Sequence, residues 1–446
     1  MPMVAKPLRF AFLLIEIAAW VVAGTATSAH ATTLELYGFG ARAAALANTS
    51  EAIADDFYAA YSNPANLALA KHIHFGFGVE ALWNRFGIDR LGGHAQWPSQ
   101  LPKDNYLAQL GISTPLPGWL QDRAAVAVAV HVPLGGPTRL DSLDHRTPHL
   151  PMYDTLGDRL ALVAAFALRP LAWLSVGAGV QVLTGLDGRA DIGLSVLDQR
   201  VTYKALQVDL ATVVTPLVGL TLLPRDNLRL ALVWRGESAV RYELPLAVDI
   251  DQVGRLDFKV KGVGLWLPDT YAMATSWQAP RWLATAGVSW QRWSLLPPLA
   301  PDVTVRLDNS QLVRGGGQPV DLIAARNLPV AMGAKDIAVP HAGGEWQPAE
   351  GWIVRGGVQY RPTPFPKADG EANYLDAAAT TLTLGLGMQS GNPLEMTRKP
   401  LHLDLAVGWT TLARRTVRKL QADNPVVATS VYGDSWHLAL ALHHDF

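Results

Sequence analysis

The feature that most limits how this chain can fold is an alternation of large apolar side chains with small or polar ones, in segments of about ten residues. In the last segment the apolar positions are Trp436, Leu438, Leu440, Leu442 and Phe446. Because successive side chains of a β-strand point to opposite faces, this spacing predicts a strand with one apolar face. The alternation returns at 401–409, 382–388 and 228–234, so the chain is predicted to be all-β.

The second face of several segments carries arginine, as at Arg229, Arg235, Arg355 and Arg361. In a soluble sandwich this face would be buried in a core without water, where an unpaired charge is costly. A water-filled lumen solvates the same side chains, and a closed barrel satisfies every backbone hydrogen bond in lipid. The pattern therefore favours a transmembrane antiparallel β-barrel over a soluble β-sandwich.

The composition supports dispersed apolar residues and excludes several classes of protein. Hydrophobic residues make up 49% and charged residues 17%, against roughly 25% charged in soluble domains. After the N-terminus there is no run of eighteen apolar residues, so no spanning helix is predicted there. The absence of cysteine excludes disulfides, and a net charge of -1 gives no electrostatic basis for binding nucleic acid.

About fourteen segments alternate in this way, and an even number suits a bacterial single-chain barrel. They lie near 72–85, 106–114, 123–132, 158–168, 173–184, 205–222, 228–250, 257–278, 283–292, 335–346, 352–361, 379–388, 401–410 and 435–446. The segment at 205–222 fits least well, because Pro216 has no N–H for a central strand. Longer polar stretches predict extracellular loops at 86–104, 133–157, 293–334 and 411–434.

The N-terminus has the features of a secretory signal peptide. Lys6 and Arg9 precede an apolar stretch at 10–24, and Ala29-His30-Ala31 offers a cleavage site. An uncleaved anchor helix is the alternative. The prediction divides the chain into a signal peptide at 1–31, an N-terminal segment at 32–70 and a barrel at 71–446.

Residues 32–70 lack the alternation and are rich in small, helix-forming residues. A compact segment at the start of a barrel can fold into the lumen and block it. Within it, Asn63-Pro64-Ala65 has two interpretations. Its proline either fixes a turn facing the lumen, or ends a helix before the first strand.

The order of motifs resembles the FadL family of outer-membrane transporters for long-chain fatty acids and aromatic hydrocarbons. The matching motifs are the small-residue run 38–47, Ile53-Ala54-Asp55-Asp56, Asn63-Pro64-Ala65, the arginine-ended segment 228–235, Leu265-Trp266-Leu267-Pro268-Asp269 and the segment 353–360. The terminal Phe446 also resembles the signal by which outer-membrane barrels are recognised for assembly. The resemblance extends over 32–446.

This resemblance implies a fourteen-stranded barrel with a small helical N-terminal hatch, through which hydrophobic small molecules enter passively. The hatch residues implied are Phe39, Gly40, Asp55, Asp56, Asn63, Pro64 and Ala65. A lateral opening is implied beside the third strand, where a break is expected at Pro133, Leu134, Gly135 and Gly136. A sideways exit into the bilayer suits an apolar cargo, since hydrating each methylene costs about 0.8 kcal/mol.

The implied setting is the outer membrane of a Gram-negative bacterium. The implied partners are a hydrophobic ligand, outer-membrane lipids and lipopolysaccharide, and the barrel assembly machinery. The protein is expected to be a monomer that uses no cofactor and no metal. His437, His443 and His444 with Asp445 fall on opposite strand faces, which argues against a shared metal site.

Two other functions remain open from the sequence. A barrel enzyme acting on lipids would need an inward Ser/His/Asp set, and Gly433-Asp434-Ser435 reads better as a turn. A structural or adhesive barrel would act through its loops, chiefly 133–157 and 293–334. Gly38-x-Gly40 follows no strand, so a dinucleotide site is not expected.

Overall fold

The computed structural model describes twelve stretches of the chain. They are residues 33–91, 99–135, 147–153, 160–195, 200–250, 254–297, 302–308, 320–323, 333–366, 373–390, 401–419 and 427–446. The signal peptide predicted at 1–31 lies outside the described residues. Among the described residues, no helix is both long and apolar enough to cross a membrane.

The described residues form eighteen strands that belong to one sheet. In chain order they are β1 (His74–Arg90), β2 (Asn105–Pro115), β3 (Ala124–Pro133), β4 (Ala161–Leu171), β5 (Leu174–Ser195), β6 (Arg200–Arg225), β7 (Leu228–Arg235), β8 (Ser238–Ile250), β9 (Gly254–Leu267), β10 (Thr270–Ala279), β11 (Trp282–Gln291), β12 (Asp302–Asp308), β13 (Val320–Ile323), β14 (Ile337–Ala349), β15 (Trp352–Arg361), β16 (Ala379–Ser390), β17 (Leu401–Arg418) and β18 (Ala428–Asp445).

Fourteen of the strands close into an antiparallel barrel. Strands β1 to β7 pair in chain order, β7 pairs with β10, β10 with β11 and β11 with β14, and β14 to β18 continue in order. The first and last strands close the ring from His74–Asp445 to Arg90–Thr429. The predicted fold and the predicted strand number are therefore confirmed.

Four strands extend the sheet beyond the wall, which corrects the predicted strand boundaries. The segments 228–250 and 257–278 were each expected to be one strand, but each contains a wall strand and an outer strand, β7 with β8 and β9 with β10. The second break falls at Pro268, which has no N–H to donate. β12 and β13 occupy part of 293–334, where a loop was predicted.

Pro216 lies inside β6, opposite Val180 of β5. Its carbonyl accepts a hydrogen bond from the N–H of Gly236 at 2.9 Å. Because the N and O of one strand residue point to the same neighbour, the proline nitrogen faces the side where β7 has just ended at Arg235. The missing N–H of this proline therefore removes only the last bond of the β6–β7 ladder.

The outer face of the wall is apolar and has aromatic side chains near both ends. In β10, Tyr271, Met273 and Trp277 are about half exposed, whereas Ala272 and Ala274 between them are buried. Towards one end of the barrel, aromatic residues are neighbours across strands in the rows Trp83–Trp436–Trp409 and Trp234–Tyr271–Trp290. Near the other end, Trp282 stacks on Trp346 at 5.5 Å. This arrangement matches the two interfacial girdles of a membrane barrel.

Residues 33–70 lie within the barrel and are called the luminal segment. It contains the short helices α1 (Thr33–Tyr37), α2 (Ala41–Ala45) and α3 (Ala59–Ser62), followed by a 3₁₀ turn, Pro64–Leu69. It contacts wall residues such as Gly76, whose neighbours Phe75 and Phe77 point outwards. Helices of four or five residues are unstable alone, so contacts with the wall hold this segment in place.

Candidate functional site

The luminal segment rests on three pairs of glycines that face each other across neighbouring wall strands. The pairs are Gly76–Gly111, Gly177–Gly219 and Gly343–Gly357. At each of these six positions, a Cβ atom would come within 3.0 Å of the luminal segment. The missing side chains therefore let the segment approach the backbone of the wall.

The first glycine pair receives Phe57, which is completely buried. A Cβ on Gly111 would overlap the Phe57 ring, and a Cβ on Gly76 would lie 2.7 Å from it. Phe57 therefore fits the wall only because both strands lack a side chain at this point.

The second glycine pair receives Asn63-Pro64-Ala65. Cβ atoms on Gly177 and Gly219 would overlap this turn. The Asn63 side chain donates to the Glu51 carbonyl at 2.8 Å and to Thr221 Oγ1 at 2.9 Å, and its Oδ1 accepts from the Ala65 N–H at 3.1 Å.

The motif thus ends α3, whose last residue is Ser62, and begins a turn packed against the lumen wall. The first wall strand begins later, at His74. The Ser175 hydroxyl also donates to the Ala65 carbonyl at 2.5 Å. These hydrogen bonds satisfy buried polar groups and fix this end of the luminal segment to β5 and β6.

The third glycine pair receives the turn after α2. A Cβ on Gly357 would overlap Leu46, and a Cβ on Gly343 would lie 3.0 Å from the Leu46 Cβ. Thr383 Oγ1 donates to the Ala45 carbonyl at 2.7 Å. This part of the segment therefore contacts β14, β15 and β16.

Phe39 and Gly40 lie between α1 and α2, and Phe39 is close to the third wall strand. Phe39 is 3% exposed and meets Tyr58 and Tyr61 edge to face, at 5.0 and 5.8 Å between ring centroids. Its ring also lies 6.4 Å from that of His131 in β3. Gly40 has a φ of +93°, and a Cβ there would lie 2.7 Å from the Tyr58 ring. Both the backbone conformation and the lack of room for a side chain therefore require glycine at this position.

Asp55 and Asp56 are neighbours with different surroundings. The Asp55 side chain is 45% exposed and lies 3.5 Å from Arg42 Nη1. Asp56 is 9% exposed and accepts the Tyr58 N–H at 2.9 Å. Burial and the Asp55 charge raise the pKa of Asp56 to about 6, although His74 and Arg42 oppose the shift.

An ionic network connects the luminal segment to the wall, and its pairing was not predicted. Arg42 of α2 binds both carboxylate oxygens of Glu345 in β14, at 2.7 and 3.1 Å. Arg355 of β15 binds Glu345 at 2.9 Å and also pairs with Asp404 of β17. Arg355 was predicted to face the lumen, but its partners are distant in sequence and follow no pattern.

Two charged cavities adjoin this network on the side of the short turns. One has a volume of about 450 Å³ and is lined by Asp55, His74, Arg355, Asp404 and Asp445, among others. The other, of about 190 Å³, adjoins the turns near Asp226 and Arg281. We call these two cavities the vestibule. Among the described residues, no group of three His, Cys, Asp or Glu side chains could hold a metal ion.

The opposite side of the luminal segment contacts a packed apolar cluster. Its largest members are Met152, Trp266, Trp293, Phe365 and Tyr374. Leu36 of α1 packs against it, and a cavity of about 20 Å³ remains between Leu36, Trp293 and Val339. The luminal segment therefore lies between an apolar region and a charged one.

A buried ion pair adjoins the apolar cluster. Arg361 donates to both oxygens of Asp376, at 2.8 and 2.9 Å, and to the Tyr153 hydroxyl at 3.1 Å. Burial lowers the pKa of nearby His149 to about 4, so that loop residue is neutral at pH 7. Arg361 and Asp376 are thus paired beside the cluster, and nearby His149 is uncharged.

The family model described as outer membrane protein transport protein (OMPP1/FadL/TodX) matches residues 20–446. The chain belongs to the FadL family. It is an outer-membrane barrel of Gram-negative bacteria, as predicted, and the family consists of transport channels rather than enzymes.

One curated relative of this FadL family member is alkane uptake protein A of Marinobacter nauticus, 23% identical over 279 residues. The match includes 59% of this chain and 58% of the length of that relative.

Solved structures share the fold. A Pseudomonas aeruginosa FadL homologue has a TM-score of 0.58 at 14% identity, with 95% of this chain and 100% of that one covered. The toluene transporter TodX of Pseudomonas putida gives 0.54 at 15% identity, with coverages of 92% and 99%. The toluene transporter TbuX of Ralstonia pickettii gives 0.52 at 16%, with 93% and 100%.

In this FadL family member, the residues of the predicted break, 133–136, begin at the last residue of β3. β3 pairs with β2 as far as Pro133 and with β4 as far as His131. The Leu134 N–H then donates to the Tyr106 carbonyl at 2.8 Å, and a Cβ on Gly135 would meet nothing within 4 Å. Gly136 lies outside the described residues. A lateral opening here stays a prediction.

Proposed function

We propose that this protein is a passive channel for hydrophobic small molecules, in which the luminal segment acts as a hatch. The observation that carries the proposal is the position of this segment between an apolar cluster and a charged vestibule. Short turns face the periplasm in outer-membrane barrels and long loops face outwards. An apolar molecule therefore meets the apolar cluster first.

The cargo class is inferred as uncharged or weakly polar hydrocarbons and related lipids. The named relatives are an alkane uptake protein and toluene transporters. Beside the apolar cluster, Arg361 already has a buried carboxylate partner, Asp376. Removing apolar surface from water contributes about 0.8 kcal/mol per methylene, which is enough to draw such molecules inside.

We infer that the cargo leaves sideways rather than through the vestibule. The vestibule is lined by carboxylates, guanidinium groups and imidazoles, so an apolar molecule gains nothing by entering it. The strand end at Pro133, Leu134, Gly135 and Gly136 is the proposed exit. There β3 has ended, and β4 begins only at Ala161.

We also propose how the chain matures. Residues 1–31 would be removed as a signal peptide, 32–70 would form the hatch and 71–446 the barrel. The assembly machinery would insert a monomer among outer-membrane lipids and lipopolysaccharide.

A reversible cross-link tests the hatch movement. The sequence has no cysteine, so a Leu46→Cys/Gly343→Cys variant would contain a single pair. The Leu46 Cβ lies 3.0 Å from the Cβ position of Gly343, slightly closer than the usual 3.5–4.5 Å, so a small shift allows the disulfide.

Oxidised protein in vesicles should take up a labelled alkane at a small fraction of the reduced rate. Reductant should restore uptake, and each single-cysteine variant should not respond to oxidation. Full uptake by completely cross-linked protein would show that this part of the segment does not need to move.

A further inference from the structure

We propose that Glu345 is the latch that keeps the luminal segment closed, a positioning role that rests on the proposed hatch movement. Glu345 is 9% exposed. Its Oε1 accepts from Arg42 Nε at 2.7 Å and from Arg355 Nε at 2.9 Å, and its Oε2 accepts from Arg42 Nη2 at 3.1 Å. One carboxylate thus bridges two guanidinium groups.

The two arginines belong to different parts of the molecule and depend on Glu345 to different degrees. Arg355 is part of the wall and has a second buried anion, Asp404. Arg42 belongs to the luminal segment, and its second partner is Asp55, at 3.5 Å with a side chain 45% exposed. Exposed pairs of this kind stabilise little. Glu345 is therefore the principal anion that holds Arg42.

Because of this arrangement, removing the charge of Arg42 and removing the charge of Glu345 have different consequences. Without the Arg42 charge, Glu345 remains paired with Arg355, and no buried charge is left alone. Without the Glu345 charge, Arg42 and Arg355 face each other with like charges in a largely buried site. An uncompensated buried charge is strongly destabilising, so Arg42 would be driven away from the wall.

Space for that movement lies beside the latch. Both cavities of the vestibule are lined by Arg42, Asp55 and Glu345. By contrast, Asn63 is completely buried, and its side chain is hydrogen-bonded to Thr221 of the wall. The geometry therefore makes the Arg42 end the moving part and the Asn63 end the fixed part.

The test measures how often single barrels conduct small ions in planar bilayers, using Glu345→Gln, Arg42→Gln and the double variant. The open fraction should rise at least about tenfold in E345Q. R42Q should show a smaller rise, and the double variant should match R42Q, because the repulsion is gone. Glu345→Asp, which keeps the charge, should stay near the wild-type level.

Glu243 provides a matched control. It also bridges two cations, Lys259 at 2.5 Å and Lys261 at 3.0 Å, but all three side chains are more than 40% exposed and lie on the outer strands. Glu243→Gln should leave the open fraction unchanged. Folding of each variant is checked by its mobility in detergent gels before and after heating.

An E345Q variant that conducts like the wild type, or like R42Q, overturns the latch. If E345Q does not fold, the latch predicts that the double variant still folds and has the same open fraction as R42Q. A double variant that also fails to fold would overturn the latch. The cross-link at Leu46 and Gly343 judges the hatch movement separately. Uptake by the oxidised protein would refute that movement, whereas the order of open fractions would still judge the latch.

Discussion

At the scale of single residues, the protonation of Asp56 affects how firmly the luminal segment is packed. It is 9% exposed beside Asp55, and its pKa is raised to about 6. Since the pKa in the folded protein exceeds the unfolded value of 3.8, protonation stabilises the packed segment. That stabilisation is complete below about pH 4 and is lost as the pH rises through 6.

Asp56→Asn should therefore remove a pH dependence of the luminal segment between pH 4 and 7. A shift of two pKa units corresponds to about 3 kcal/mol, and the asparagine oxygen can still accept the Tyr58 N–H. Hydrogen exchange of residues 53–62, corrected for intrinsic rates, should give more protection in the variant than in the wild type at pH 7. The two proteins should converge at pH 4. Parallel pH profiles would contradict the prediction.

At the scale of elements, the wall strands and the luminal segment fit together through missing side chains. Gly111 of β2 faces the Phe57 ring, and Gly177 of β5 faces the Pro64–Ala65 peptide. These glycines face the lumen, whereas the adjacent residues in each strand face the lipid. In each strand, every second residue thus forms the outer surface of the barrel, and the residues between them shape the lumen.

Gly111→Ala should displace the luminal segment, because the added Cβ would overlap the Phe57 ring. Overpacking of this kind typically costs about 1–3 kcal/mol, which should appear as faster hydrogen exchange at 55–62. Gly356→Ala is the control, since its Cβ would meet nothing closer than 3.5 Å. A Phe57→Leu change should partly rescue G111A. Equal exchange in the two alanine variants would refute the docking role of Gly111.

At the scale of the whole molecule, the barrel closes without the luminal segment. β1 pairs with β18 over its full length, and fourteen strands complete the ring. The backbone hydrogen bonds that bilayer insertion requires are therefore made by the wall alone. The segment instead divides the lumen into an apolar region and a charged vestibule.

Deletion of residues 33–66 should leave a folded, heat-modifiable barrel that has lost its barrier. Permeation of a small hydrophilic sugar into vesicles should rise by about tenfold or more, because water fills the lumen in place of the packed segment. Uptake of a labelled alkane should lose its selectivity. Sugar permeation and alkane uptake both unaltered by the deletion would contradict a gating role.

The family and the wall follow from the sequence because lipid-facing alternation is a local signal with a period of two residues. Even Pro216 lies within a predicted strand, at the point where its neighbour β7 has ended. The divisions at Gly236 and Pro268 were missed, since alternation continues from β7 into β8 and from β9 into β10. Pattern alone does not distinguish a strand in lipid from its extension into water.

Only the tertiary structure decided which residues meet inside the lumen. Arg42 and Glu345 are 303 positions apart, and Phe57 finds its place only because β1 and β2 align Gly76 with Gly111. Such contacts depend on strand register and on the path of the luminal segment. Alternation fixes the face to which a side chain points, whereas closure of the barrel fixes what lies opposite.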